Sequence, residues 1–202
     1  MPRPVVIRDN AILRAARDLF LRHGYGASTA AIARRAGVSE GSVFKRYRTK
    51  NGLFLAAMEV EGRENAWEGL LAGAAGRGDV RRTLEEAGRR LLRRLEILTP
   101  RIIAVRASGL TLPTGYRRRR RPPPVVHIET LARYFREETR LGRLRTASPQ
   151  ALAHVFVGAL AHYAFCETVL RYRSAPPAVF VRQVVAAVLA AAAASPSPEN
   201  AP

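Results

Sequence analysis

The sequence predicts an all-α protein, with an N-terminal three-helix helix-turn-helix head on a larger helical body and about nine helices in all. Three observations predict it. Apolar residues recur at helical spacing along most of the chain and stop at glycines and prolines. The stretch AGVSEGSVFKRYRTK, residues 36–50, sets a glycine, a valine and a capping serine between two short helical patterns, the arrangement of a helix-turn-helix. The last two helical patterns are apolar nearly all round and need cover on every side. Residues 1–50 form the expected head, 51–194 the body and 195–202 a disordered tail. A chain of 202 residues suffices for a small head and a sizeable core.

The first helix is expected from Arg8 to His23, with Ile12, Ala15, Ala16, Leu19 and Phe20 inward and Gly24 at its end. Ser28 and Thr29 are N-cap types ahead of AAIARRA, a second helix that stops at Gly37. Gly37 can take the left-handed conformation of a tight turn, Val38 can plug the core, and Ser39 can cap a third helix, Glu40 to Tyr47. A fourth, longer helix is expected from Lys50 to Gly73, ended by GAAGRGD. Val80 to Leu98 makes the next, and Pro100 is expected to break it before Arg101 to Ser108. The segment LPTGYRRRRRPPP, residues 112–124, has no apolar period and reads as a mobile loop. A helix resumes from Val125 to Leu141, where Gly142 ends it.

The last two helices are expected from Pro149 to Arg171 and from Pro177 to Ala194. One chain of this size covers only part of two such helices. A second copy supplies the rest, as a homodimer through a four-helix bundle with two helices from each chain. Leu152, Val155, Phe156, Ala159, Val181, Val184, Val185 and Val188 form the expected interface, with Ala161, Ala164 and the alanines from 186 onward letting backbones approach.

Thirty-four Lys plus Arg against 16 Asp plus Glu leave a net charge of +18, which points to a polyanionic partner. The head alone holds eleven Lys or Arg against three Asp or Glu. The run Arg117 to Arg121 is either solvated or adds attraction for a polyanion. Cys166 is the single cysteine, which excludes an internal disulfide and a multi-cysteine metal site, and it reads as a small core residue. A reducing cytoplasm fits, with neither a signal peptide nor an apolar stretch of about 20 residues to cross a bilayer. His154 and His162 lie eight apart on one apolar helix and read as buried, hydrogen-bonded histidines. No nucleophile elbow, phosphate loop or paired-carboxylate site is present, so an enzyme is not expected, nor a metal or other cofactor.

From LFLRHGYGASTAAIARRAGVSEGSVFKRYRTKNGLFLAAM the chain resembles the DNA-binding head of the tetracycline-repressor (TetR) family, over about Arg8 to Met58. The likeness lies in the order of parts: Tyr25 after the first helix, hydroxyls at Ser28 and Thr29, then IARRAGVS, SVFKRY and Lys50 before an apolar helix. It implies an all-helical body that binds a small effector and dimerises. This chain has Phe44 where the family usually has a Tyr that touches phosphate, Arg46 where it has an aromatic or His, and Tyr47 where it has Phe.

In a major groove, the leading turn of the third helix needs small side chains. Gly41, Ser42 and Val43 fit, with Ser42 bonding a base or phosphate and Val43 packing on a thymine methyl; Ser39 stands at the helix start beside them. Lys45 suits guanine O6 and N7. Arg46, Tyr47 and Lys50 suit the phosphate backbone, and Thr29, with Ser28 at the start of the second helix, does the same. Phe44 either joins this surface or packs in the core. In the body, Trp67, Leu91, Arg106, Phe135, Tyr163 and Phe165 are candidate pocket residues for a hydrophobic or aromatic effector.

The expected function is a dimeric, ligand-responsive regulator of transcription, most simply a repressor released from a palindromic double-stranded operator. The competing reading is a basic protein that binds nucleic acid without sequence preference. Membrane-surface binding is disfavoured because the arginine run has no apolar face beside it.

Overall fold

The computed structural model describes residues 5–59, 66–110 and 123–193, and every regular element among them is a helix. These are α1 (Val5–His23), α2 (Thr29–Ala36), α3 (Glu40–Tyr47), α4 (Lys50–Met58), α5 (Ala66–Ala72), α6 (Val80–Ala107), α7 (Pro123–Arg140), α8 (Pro149–Thr168) and α9 (Pro177–Ala193). The chain divides into two units, one of residues 1–61 with 100–112 and one of residues 62–99 with 113–202. The Arg117 to Arg121 run and the tail 195–202 lie outside the described residues.

In the first unit α1 packs on α2 and α4, and α3 bridges α2 and α4. Its core is Ile12, Ala16 and Phe20 from α1, Ile32 and Ala33 from α2, Val43 from α3 and Leu53, Phe54 and Ala57 from α4. Phe20 meets Phe54 edge to face at 5.0 Å, and Tyr25 meets Phe54 likewise at 5.2 Å. Arg17 Nε donates to the Ala57 carbonyl at 2.9 Å, which fixes the end of α4 against α1.

The helix expected over 50–73 is two helices. Glu59 takes an extended conformation (ψ 135°) and closes α4, while α5 begins at Ala66. The apolar spacing runs on across this point, but Leu53 to Met58 serve the first core and Trp67 and Leu71 the second. Pro100 errs in the other direction. It has no N–H for the Glu96 carbonyl, a loss of about 3 kcal/mol in a helix interior, yet α6 continues through it to Ala107. Burial on both sides offsets that loss, with Leu91, Leu92 and Leu95 in the second core and Ala104 and Val105 against the first.

In the second unit α7 packs on α5 and α8, and α8 on α9. Trp67, Leu84, Leu91, Leu131, Phe135, Phe156, Leu160, Val181 and Val185 lie in one buried cluster. Gly88 is its tightest point: a Cβ there would lie 2.8 Å from Val181 Cγ1 and 3.2 Å from Phe156 Cζ, so α6, α8 and α9 close only around a hydrogen. Glu138, fully buried, pairs with Arg143 at 3.1 Å and accepts from the Gly76 amide at 3.3 Å. Arg143 Nη2 also donates to the Gly78 carbonyl at 2.6 Å, which clasps the α5–α6 turn.

The expected interface residues need correcting. Leu152, Phe156, Val181, Val184, Val185 and Val188 are buried within their own chain, because they supply the cover α8 and α9 give each other and α6. Val155 (57% exposed) and the half-buried Ala159 remain outward. The exposed residues of the outward faces carry a single full charge, Arg182: beside it lie His154, Val155, Gly158, His162 and Phe165 on α8, and Gln183, Ala186, Ala187 and Ala190 on α9. His154 and His162 are exposed rather than buried, because they fall on this outward face.

Candidate nucleic-acid interface

Every helix of the turn is held at its start by a hydroxyl. Ser28 accepts from the Ala31 amide at 3.4 Å, Ser39 from the Ser42 amide at 3.2 Å and Thr49 from the Gly52 amide at 3.0 Å. Each satisfies an amide that a helix N-terminus leaves open. Gly37 closes α2 in the left-handed region (φ 70°, ψ 34°), and its amide and that of Val38 return to the Arg34 and Ala33 carbonyls. The turn between α2 and α3 is thus fixed by backbone bonds, and α3 leaves it in one direction.

That direction exposes Ser39, Gly41, Ser42, Phe44, Lys45 and Arg46, and half-buries Tyr47 and Lys50. A Cβ on Gly41 would meet nothing within 4 Å. Its missing side chain therefore serves nothing inside the fold and leaves the leading turn of α3 flat. Val43 is 1% exposed and packs in the head core, so it cannot reach a thymine methyl: it is the one buried residue of α3 and anchors that helix. Phe44, 38% exposed, lies on the outer face. Between α1 and α3 a cleft of about 440 Å³ is lined by Ile12, Val38, Ser42, Lys45 and Arg46.

The cations are oriented by contacts not visible in the sequence pattern. Lys50 Nζ lies 5.0 Å from the centre of the Tyr25 ring, and the Tyr25 hydroxyl donates to Asn51 Oδ1. Arg46 pairs with Asp9 of α1. The other two acids of the first fifty residues are also engaged: Asp18 with Arg22 and Arg35, and Glu40 Oε1 as acceptor from Thr29 at 2.6 Å. Asp9 and Asp18 are paired with arginines, and eleven Lys or Arg against three acids in the first fifty residues leave the head a surplus of positive charge. Burial raises the Tyr47 hydroxyl above its usual range, with Arg46 opposing, so Tyr47 stays a donor. Lys45 and Lys50, both on this surface, are the only lysines of the chain.

Asp9, Tyr25 and Asn51 were not among the expected site residues. Their signal is compositional and weak: one of two acids in an Arg-rich helix, and an aromatic just past a helix-ending glycine.

The body candidates do not gather into one site. Trp67, Leu91, Phe135 and Tyr163 are buried in the second core, whereas Phe165 is exposed on α8 and Arg106 is exposed in the first unit. Tyr163 stacks on Phe180 at 4.5 Å and donates to the Ala175 carbonyl at 2.6 Å, which is a packing role. Cys166 is half-buried rather than core, with Sγ 3.5 Å from His162 Nε2. Among the described residues no group of three His, Cys, Asp or Glu side chains could hold a metal ion, and no helix is long and apolar enough to cross a membrane.

Residues 12–57 match the family described as bacterial regulatory proteins, tetR family, and residues 121–194 match the C-terminal domain of the AefR-like transcriptional repressors. Solved structures share the fold over nearly the whole chain. One described as a TetR-family transcriptional regulator, from Mesorhizobium loti, is 22% identical with a TM-score of 0.64, covering 94% of this chain and 96% of that one. A protein from work on the control of antibiotic production by a bacterial hormone is 23% identical with a TM-score of 0.64, covering 94% and 98%. FadR from Bacillus subtilis, solved with stearoyl-CoA, is 12% identical with a TM-score of 0.63, covering 91% and 98%.

Proposed function

Since the chain belongs to the tetR family of bacterial regulatory proteins, we propose that it is a ligand-responsive repressor that leaves a palindromic operator when a small hydrophobic effector binds. Residues 1–50 touch DNA, and residues 51–194 bind the effector and dimerise. One observation carries the reading. The outer face of α3 offers small and cationic side chains, Gly41, Ser42 and Lys45, off a turn fixed by three hydroxyl caps and a left-handed glycine.

Gly41 and Ser42 allow close approach to base edges, and Lys45 reads a guanine edge. Ser28, Ser39, Phe44, Arg46, Tyr47 and Lys50 set affinity and register along the backbone. Thr29 reaches a phosphate only by giving up Glu40, while Asp9 holds Arg46 through Nε and sets the direction of its guanidinium. Two copies joined through the outward faces of α8 and α9 hold two α3 helices about 34 Å apart, in successive major grooves. Effector binding favours a conformation whose heads miss that spacing, so release is a population shift. Such a protein works in the cytoplasm, on the chromosome.

Selection of bound duplexes from a random pool, followed by competition against random DNA, tests the reading. An inverted repeat bound several hundred-fold or more above random sequence, about 4 kcal/mol, is the expected result. A ratio near one would replace it with sequence-independent binding of nucleic acid.

A further inference from the structure

Two buried side chains of the second unit keep polar atoms that the fold leaves unmet. Trp67 of α5 is 1% exposed and His127 of α7 is 2% exposed, with ring centres 5.2 Å apart, edge to face. Among the described residues neither Trp67 Nε1 nor either ring nitrogen of His127 has a hydrogen-bond partner, although Glu68 Oε1 approaches His127 Nδ1 to 3.6 Å. A buried polar group left unmade costs about 1–3 kcal/mol, and two side by side in a core of leucines and phenylalanines are not a packing solution. The guanidinium of Arg94, itself buried, is close enough to act on His127.

Resting on the regulator reading, we propose that Trp67, Glu68, Arg94 and His127 form the polar end of the effector site, which takes a neutral apolar molecule by a hydroxyl group. The donors and acceptors decide the chemistry. Trp67 Nε1 can only donate. Burial, with Arg94 adding to it, lowers the His127 pKa to about 4, so the ring is neutral near pH 7. The Glu68 carboxylate can only accept, so it favours the proton on Nδ1 and leaves Nε2 as an acceptor. One donor and one acceptor beside each other suit a group that both accepts and donates, as a phenol or alcohol does.

Charge points the same way. The cation of Arg94 and the anion of Glu68 oppose each other in this group, and His127 adds none. A carboxylate ligand brings a charge beside Glu68, and an ammonium brings one beside Arg94, each at the cost of desolvation. The Glu68 side chain is 22% exposed, which makes its side the route of entry.

Trp67 is the only tryptophan of the chain, so its emission reports on this site alone. The full-length protein is titrated with 4-propylphenol, 4-propylanisole and 4-propylbenzoate at neutral pH. Saturable change with the phenol is expected, at least about ten-fold tighter than with the ether or the carboxylate, the discrimination of one buried hydrogen bond. His127→Phe reduces the phenol to the level of the ether, and His127→Gln, which keeps polar atoms, restores most of the preference at unchanged helicity. Equal affinity for phenol and ether, tighter binding of the carboxylate, or no saturable change with the phenol overturns the proposal on the wild-type protein alone. The titration contains no DNA, so the two readings fail separately. A protein that selects an operator but ignores the hydroxyl loses only this inference, and one that prefers the phenol but selects no operator loses the repressor reading.

Discussion

Gly52 sits so close to the Tyr47 carbonyl oxygen that a Cβ at position 52 would lie 2.5 Å from it. The first turn of α4 is thereby seated on the end of α3, with Thr49 accepting the Gly52 amide. The blocking atom is backbone, so it cannot swing away. Gly52→Ala is expected to cost the head about 1–3 kcal/mol, the range for overpacking, and to weaken operator binding by moving Tyr47 and Lys50. Thermal unfolding followed by circular dichroism checks it; an unchanged melting temperature would show that the two helices can separate freely.

The two lysines are expected to separate into two kinds of contact. Lys45→Ala changes which base is preferred at its position, at about 1–3 kcal/mol. Lys50→Ala weakens all sequences alike and lowers the salt slope by about 1. Binding isotherms on a set of operator variants at several salt concentrations distinguish them. A change of base preference in the Lys50 variant would reverse the assignment.

The outward face of α8 and the inner face of α9 are expected to respond differently to charge. Val155→Asp leaves the chain folded, because that side chain is 57% exposed, and raises the dimer dissociation constant by about 100-fold or more, roughly 3 kcal/mol. Val185→Asp buries a carboxylate in the chain's own core and unfolds it. Sedimentation velocity across a concentration series, with circular dichroism alongside, reads both. A Val155→Asp protein as dimeric as the parent would move the interface elsewhere.

The buried imidazole makes stability fall with acid. Folded His127 has its pKa lowered to about 4 from the usual 6.5, so between these values the unfolded chain holds the extra proton. The stability this group contributes is complete above pH 6.5 and is lost as pH falls from 6.5 towards 4. The loss amounts to about 3 kcal/mol over that window. Urea midpoints from pH 7 to 4 should show this slope, and His127→Phe should flatten it; equal slopes in the two proteins would place the effect on other groups.

The head was nearly legible in the sequence because its signals are local. Gly37, Ser39 and the spacing of Ile12, Ala16 and Phe20 each act within one turn of chain, and the caps and core residues stand where those rules put them. Val43 was misread because β-branched residues suit both a methyl contact and a core. The body was legible only in outline, since apolar spacing records that a face is buried and not what covers it. Val181 and Val185 are covered from within the chain, while Val155 on the neighbouring helix is not. The helix ends at Glu59 and through Pro100 failed for a related reason, because both depend on which core receives the flanking residues. His127 and Glu138 were visible in principle, as polar residues at the spacing of Leu131 and Phe135 in α7.

Arginine supplies nearly all the positive charge of this protein, and the two exceptions both stand on one small surface. Apart from the chain's own amino terminus, a reagent specific for primary amines has only Lys45 and Lys50 to modify. Acylation of the bare protein and of its duplex complex, read peptide by peptide, is therefore a ready-made protection map of the one patch that matters.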